Sequence, residues 1–421
     1  MPEAAEERFQ QEVRASLRRN FAAHLTHGLL GQTGFRLINA PTFIPAYVHL
    51  LSGSDLLVGV ARGLQSLGMF LSPVLGATLI ESRRRVLPVG FVVGALMRVQ
   101  VLGIALAGLL LSDAWALRAT CLFLGLFGFF LGMQGVVFNF LVSKVVPVEL
   151  RGRLLGLRNA LAGVVAAVVS VIGGRLIDID LLGNGYAATF GVAFVLTSLG
   201  LLALAFVREP ATPEVRERSG FGDRLRQLPE LLRRDREFTV YFLARALGTM
   251  GRMAMPFYIL HAMSRVEIDG RRLGMLTVGF VLTNSVGNLF WGAIADRRGF
   301  RVIFLASLLL WAASSGLILG ADTFANMFAA YCGIGMGLGG FMMSAQNLVL
   351  EFGSRRNLPM RIAVANSATE LVGAIGPVLG GLLSAATSYV AVFAVAIAFQ
   401  LAAFAMVVGF VREPRAAAAG R

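Results

Sequence analysis

The sequence predicts an all-α membrane protein with twelve transmembrane helices in two pseudo-symmetric six-helix bundles. The first observation is composition: 56% of the 421 residues are hydrophobic and 15% are charged, whereas soluble globular chains carry roughly 25% charged residues. The second is that the apolar residues form long unbroken runs, which favour helices over the alternating strands of a β-barrel. The third is a repeated pattern that relates the two halves of the chain.

Each predicted helix rests on the length of its apolar run, because a helix that crosses the hydrocarbon core needs about 20 apolar residues. Runs of this length predict spans at 21–50, 55–80, 87–111, 117–143, 154–175, 187–207, 239–264, 273–295, 302–320, 324–350, 362–385 and 388–411. These spans imply a cytoplasmic N-tail at 1–20, a first bundle at 21–207, a cytoplasmic linker at 208–238, a second bundle at 239–411 and a C-tail at 412–421.

The division into two bundles rests on an internal repeat. The last span of each half ends with the same five residues, Phe-Val-Arg-Glu-Pro, at 206–210 and at 410–414. The stretch GFFLGMQ at 128–134 likewise resembles GFMMSAQ at 340–346. An ordered series of such matches indicates duplication of a six-helix unit.

The charge pattern predicts the orientation. The chain carries 38 basic and 24 acidic residues, a net charge of +14, and most of the basic residues lie in the connections on one side of the predicted spans. This distribution follows the positive-inside rule, so we expect both termini in the cytoplasm and a multi-pass protein of a bacterial-type cytoplasmic (inner) membrane. It also argues for contact with the lipid bilayer and against a nucleic-acid partner.

One loop carries a family signature. Residues 292–301 read G-A-I-A-D-R-R-G-F-R, which is similar to the G-x-x-x-D-R-x-G-x-R motif of the major facilitator superfamily. Two six-helix halves joined by a basic loop also resemble that superfamily. The resemblance implies a gating motif of Gly292, Asp296, Arg297, Gly299 and Arg301, with Asp296 facing a helix N-terminus and both arginines bridging to carboxylates when the inner gate shuts. The alternative is a solvated positive-inside turn.

Two arginines lie deep in the spans at matching places, Arg36 in the first and Arg252 in the seventh. In proteins that this chain resembles, spans 1, 4, 7 and 10 line a central cavity, so the two guanidiniums could clamp a carboxylate or phosphate of the substrate. Alternatively, protein carboxylates or helix-end carbonyls neutralise each of them. The other predicted substrate-binding residues, each of which could instead make a structural hydrogen bond, are Asn39, Gln134, Tyr258, Gln346 and Asn347.

Glu370 is the acidic residue that lies well inside a span, the eleventh. Because ionisable groups inside a membrane face a cavity or a partner, we predict that Glu370 exchanges the coupling proton. The alternative is a static ion pair with Arg252 or another arginine. Arg62 and Arg98 are predicted to be structural, and His24 with His27 to lie at the cytoplasmic end of the first span.

The predicted function is secondary active transport of a small organic solute by alternating access, coupled to protons, with an anionic substrate as one option. No phosphate-binding G-x-x-x-x-G-K loop, metal-ligand spacing or nucleophile motif occurs, so we expect no enzyme and no cofactor. We expect a monomer. A non-transporting receptor or assembly subunit with the same fold, and an uncoupled facilitator, are the alternatives.

Overall fold

The computed structural model describes residues 2–81, 83–212, 236–351 and 358–411. Over these ranges the chain is helical and contains no β-strand. Most of the predicted linker at 208–238, and the C-tail at 412–421, lie outside the described residues.

The described part of the first half contains nine α-helices. They are α1 (Pro2–Ala15), α2 (Leu17–Asn39), α3 (Phe43–Ser52), α4 (Asp55–Leu71), α5 (Pro73–Glu81), α6 (Leu87–Leu110), α7 (Asp113–Val145), α8 (Val148–Asp178) and α9 (Gly185–Ala203). The predicted first span at 21–50 is therefore two helices, interrupted at 40–42. Pro41 lies in the interruption, as expected for a residue that lacks a backbone donor.

The described part of the second half contains seven α-helices and repeats this interruption. They are α10 (Arg236–Met250), α11 (Phe257–Arg265), α12 (Gly270–Arg298), α13 (Phe300–Leu319), α14 (Phe324–Glu351), α15 (Leu358–Ala386) and α16 (Tyr389–Phe410). A short 3-10 turn, Gly251–Ala254, separates α10 from α11 just before Pro256. Arg36 and Arg252 thus each lie at or next to a break in a helix.

Ten helical segments of the described residues are long and apolar enough to cross a membrane. The two remaining predicted spans, 21–50 and 239–264, are the interrupted pairs α2–α3 and α10–α11. The chain is accordingly a multi-pass membrane protein, and its segments match the twelve predicted spans.

The chain divides into two compact units. The first unit consists of Met1–Asn39 and Leu64–Ser219, and the second of Ala40–Gly63 and Gly220–Arg421. In the first unit α2 packs against α8 and α9, and α6 packs against α7 and α9. In the second unit α14 packs against α12 and α13, and α16 packs against α10 and α13. Residues 40–63, which the sequence assigns to the first bundle, belong to the second unit.

Candidate functional site

Arg36 lies one turn before the end of α2 and makes two hydrogen bonds within the first unit. Its Nη2 donates to Oε1 of Gln32 at 3.3 Å and to the backbone carbonyl of Asn159 on α8 at 3.2 Å. Gln32 and Arg36 are four residues apart, so they occupy the same face of α2. Both side chains are partly exposed, which keeps a cationic group on an accessible surface of the unit.

The two amides predicted to bind substrate in the first unit differ in their hydrogen bonds to the protein. Asn39 accepts from Gln65 Nε2 at 2.8 Å and donates to the carbonyl of Phe35 at 2.8 Å. Gln134 is buried, and its Oε1 lacks a hydrogen-bond partner among the described residues. Asn39 therefore makes the interhelical hydrogen bond that was predicted as the alternative to substrate binding. The Oε1 of Gln134, by contrast, is an acceptor that no described residue uses.

Arg158 on α8 is a buried cation that the sequence reasoning missed. Its guanidinium carbon lies 3.9 Å from the ring centre of Phe138 on α7. With its amide turned, Gln32 would accept from Arg158 Nε at 3.2 Å and from Nη2 at 3.1 Å. The signal was present in the sequence, because an arginine within an apolar helix normally has a specific partner or function.

In the second unit, Arg252 and Glu370 are brought together. Arg252 Nη1 lies 3.8 Å from Glu370 Oε2, and the two side chains are 23% and 22% exposed. Gly373, one turn after Glu370 on α15, leaves room for the guanidinium, since a Cβ there would lie 2.7 Å from Arg252 Nη1. The pair is compatible with either predicted role of Glu370, a proton carrier or a static partner of Arg252.

The other predicted binding residues of the second unit differ in accessibility. Tyr258 is fully buried: its hydroxyl lies 2.6 Å from Ser315 Oγ and accepts from Trp311 Nε1 at 3.2 Å. Gln346 is exposed on α14. Asn347 is half-buried and donates to the carbonyl of Met343 at 2.8 Å. Tyr258 thus lies in a packed aromatic region, and Gln346 on an accessible face.

The predicted gating motif spans the junction of α12 and α13. Gly292 lies within α12, and Asp296 and Arg297 are exposed in its last turns. Gly299 has a φ of 79°, a conformation that favours glycine and lets α13 begin directly after α12. Arg301 donates to the carbonyl of Val411 at 2.6 Å and to that of Val407 at 3.2 Å. In the described structure Arg301 therefore binds helix-end carbonyls. The bridge to a carboxylate on closure of the inner gate stays a prediction.

The sequence model described as "Major Facilitator Superfamily" matches residues 29–261 and again residues 238–421. The chain belongs to the Major Facilitator Superfamily. The two matches, one to each half, agree with the internal repeat seen in the sequence. Both the predicted family and the predicted fold are thereby confirmed.

Curated relatives within the superfamily are similar to parts of the chain. A hexuronate transporter of Bacillus subtilis is 23% identical over 148 residues, which cover 35% of each protein. Multidrug resistance protein MdtG of Serratia proteamaculans is 26% identical over 191 residues, or 44% of this chain and 46% of the relative. Multidrug resistance protein D of Escherichia coli is 27% identical over 158 residues, which cover 36% of this chain and 39% of the relative. The chain thus spans less than half the length of these relatives.

Solved structures of superfamily transporters share the fold at low sequence identity. The nucleoside transporter NupG superposes with a TM-score of 0.72 at 12% identity, covering 93% of this chain and 99% of that one. A D-xylose-proton symporter superposes with a TM-score of 0.71 at 13% identity, covering 95% of this chain and 99% of that one. These proteins, like the curated relatives, are named for transport or drug resistance.

Proposed function

We propose that this superfamily member is a secondary active transporter that moves a small organic solute by alternating access and couples the movement to protons at Glu370. It would reside in the cytoplasmic membrane with both termini in the cytoplasm, where the basic connections favour them. The named activities of its relatives support transport in general. The observation that carries the proposal is the partly exposed ion pair of Arg252 and Glu370.

The geometry of this pair suits reversible protonation. The 3.8 Å between Arg252 Nη1 and Glu370 Oε2 exceeds the roughly 2.7–2.9 Å of a charge-assisted hydrogen bond. Glu370 Oε2 also lacks a hydrogen-bond partner within the described residues. A carboxylate held by charge alone, with part of its surface exposed, can accept a proton without breaking a hydrogen-bonded network.

Protonation of Glu370 would change the charge that Arg252 experiences. Arg62 is close enough to Arg252 for the two positive charges to interact unfavourably, and Glu370 pairs with Arg252. Once Glu370 is neutral, an anion at Arg252 would restore the balance. Proton binding and anion binding at this site would therefore favour one another, which is the linkage that coupled transport requires.

Two cations support an anionic substrate. Arg36 in the first unit and Arg252 in the second are partly exposed and basic, so we favour an anionic solute. The hexuronate named for one relative is a sugar carboxylate and fits this chemistry. The exposed amide of Gln346 would add hydrogen bonds to the polar part of the solute, with Asn39, Gln134, Tyr258 and Asn347 as the remaining candidates.

The test is proton flux in liposomes that contain the purified chain and a pH-sensitive dye, with organic anions, cations and neutral solutes supplied in turn. We expect solute-dependent proton movement, its loss in Glu370→Gln, and retention of solute exchange without net proton movement in that variant. Asp322→Asn is the matched control, because Asp322 pairs with Arg265 at 3.5 Å on an exposed surface.

The outcomes separate the alternatives. Proton flux that persists in Glu370→Gln would remove Glu370 from coupling. Solute exchange with no proton movement in the unmodified protein would indicate an uncoupled facilitator. No flux of any solute, from protein that melts cooperatively, would favour a non-transporting receptor or assembly subunit.

A further inference from the structure

Three helices of the first unit bring four buried side chains together in what we call the Arg158 cluster: His24 and His27 on α2, Phe138 on α7 and Arg158 on α8. Both histidine ring centres lie 5.5 Å from that of Phe138, and the guanidinium carbon of Arg158 lies 3.9 Å from it. Phe138 thus contacts two imidazoles and one guanidinium.

The charge of Arg158 is only partly compensated by the protein. A ring face stabilises a cation by its quadrupole, and a turned Gln32 amide would accept two of the five guanidinium hydrogens. Arg158 forms no salt bridge with any carboxylate of the described residues. A buried cation is normally paired or fully hydrogen-bonded, so the cluster retains a net positive field.

The histidines supply donors that the described protein does not use. His24 is fully buried, and neither of its ring nitrogens has a hydrogen-bond partner among the described residues. The Nδ1 of His27 likewise has no hydrogen-bond partner among the described residues. A neutral imidazole always carries one N–H donor, and buried donors without a partner are rare in folded proteins. The unused N–H of His24, and that of His27 in the tautomer with its proton on Nδ1, lie beside a guanidinium that has no carboxylate partner among the described residues, an arrangement that an anion would satisfy.

The position of Arg158 depends on a glycine of α2. A Cβ at position 28 would lie 2.0 Å from Arg158 Cγ, which is too close for any side chain to share the space. The obstructing atom is in the stem of the arginine and not at its flexible end. Gly28 therefore admits Arg158 to the surface of Phe138, next to Gln32, whose amide oxygen accepts either from Arg36 or, once the amide is turned, from Arg158.

We propose that the Arg158 cluster binds an anionic group of the transported solute, a carboxylate or a phosphate, in addition to the anion site proposed at Arg252, and that Arg158 contributes to the preference for anions. This inference rests on the proposed transport function. The free edge of a guanidinium offers two parallel N–H donors that match the oxygens of a carboxylate or phosphate. Phe138 packs against the guanidinium at 3.9 Å, His24 and His27 add donors, and Arg36 is partly exposed beside Gln32.

The test is calorimetric binding to the purified full-length chain in detergent, with three pairs of probes that differ in charge: glucuronate and glucose, glycerol 3-phosphate and glycerol, and benzoate and benzamide. We expect binding of at least one anion and not of its neutral partner. We expect Arg158→Gln to weaken that binding at least tenfold, Arg158→Lys to weaken it less, and Gly28→Ala to weaken it although no charge is removed. Arg153→Gln is the matched control on the exposed face of α8.

Folding is controlled by gel filtration and by the melting temperature of each variant, and Arg158→Lys keeps the charge if Arg158→Gln does not fold. Wild-type protein that binds none of the three anions at millimolar concentration, or an anion affinity that Arg158→Gln and Arg158→Lys leave unchanged, overturns the inference. Coupled transport of a neutral solute that Arg158→Gln leaves intact refutes the Arg158 site and leaves the transport function standing. Arg158-dependent anion binding without flux of any solute would support the Arg158 site and refute the transport function.

Discussion

Lys144 and Glu209 form a buried ion pair in the first unit, with 2.7 Å between Nζ and Oε1 and side chains that are 4% and 2% exposed. Glu209 also accepts from the backbone N–H of Val86 at 2.7 Å and of Leu87 at 2.8 Å, at the start of α6. It belongs to the repeated Phe-Val-Arg-Glu-Pro sequence. The repeat in this half therefore serves to anchor the end of the unit to α6 and α7.

We expect Glu209→Gln to destabilise the protein strongly, because it leaves the ammonium of Lys144 buried without its counter-charge. Breaking one side of a buried ion pair costs about 3–5 kcal/mol. The measurement is the thermal melting temperature in detergent. Glu149→Gln, at an exposed position on α8, is the control and should melt like the wild type. If Glu209→Gln had the same melting temperature as Glu149→Gln, water would have to reach the ion pair of Lys144 and Glu209.

We expect Gly373→Ala to disturb the ion pair of Arg252 and Glu370 with little loss of stability. The new methyl group would lie 2.7 Å from Arg252 Nη1, and the flexible guanidinium can move aside. The result should be fewer protons moved per solute in liposomes. Gly376→Ala is the control, since its Cβ would meet nothing closer than 3.6 Å. Equal coupling in the two variants would argue that the pair is not used in transport.

We expect Asp55→Asn to destabilise the second unit, because Asp55 joins the start of α4 to α15 and α16. Its carboxylate accepts from Ser384 Oγ at 2.5 Å and from Tyr389 Oη at 3.0 Å, and lies 3.3 Å from His49 Nδ1. Each hydrogen bond to a charged group contributes about 1.5–3 kcal/mol when buried, and partial exposure reduces this. Tyr389→Phe removes one of these contacts and should lower the melting temperature by less. The reverse order would contradict a carboxylate-centred cluster.

We expect Tyr258→Phe to lower the melting temperature, because it removes the acceptor of the buried Trp311 indole N–H. An orphaned buried donor costs about 1–3 kcal/mol. The same variant tests the predicted role of Tyr258 in substrate binding through the KM of solute uptake. An unchanged KM with a lower melting temperature would assign Tyr258 to packing, and a raised KM at an unchanged melting temperature would assign it to the solute.

The fold could be predicted from the sequence because lipid imposes a simple rule: each span must be long, apolar and internally hydrogen-bonded. The contact of Glu370 with Arg252, foreseen as one alternative, follows from the same physics, since a carboxylate inside a span needs a partner. Hydropathy does not show where a helix starts among polar flanking residues. The fifth span was predicted from residue 154, whereas α8 begins at Val148, so Arg158 was placed near a span end and overlooked.

Other features depend on tertiary contacts that no local pattern encodes. The rotation of side chains about a helix changes at an interruption such as Gly251–Ala254, so the inward direction of Tyr258 could not be read from its position in a span. The membership of residues 40–63 in the second unit depends likewise on packing. The vacant histidine nitrogens beside Arg158 become visible only when α2, α7 and α8 are assembled.

The hydrogen bond from Trp311 to Tyr258 has a spectroscopic consequence. The chain has three tryptophans; Trp291 and Trp311 are buried in the second unit, whereas Trp115 of the first unit is 60% exposed. Blue-shifted emission should therefore arise from the second unit, whereas the emission of Trp115 should follow the polarity of the lipid, detergent or water around it. The native fluorescence spectrum separates the two units without a label, so a solute that binds the first unit alone should leave the blue-shifted component unchanged.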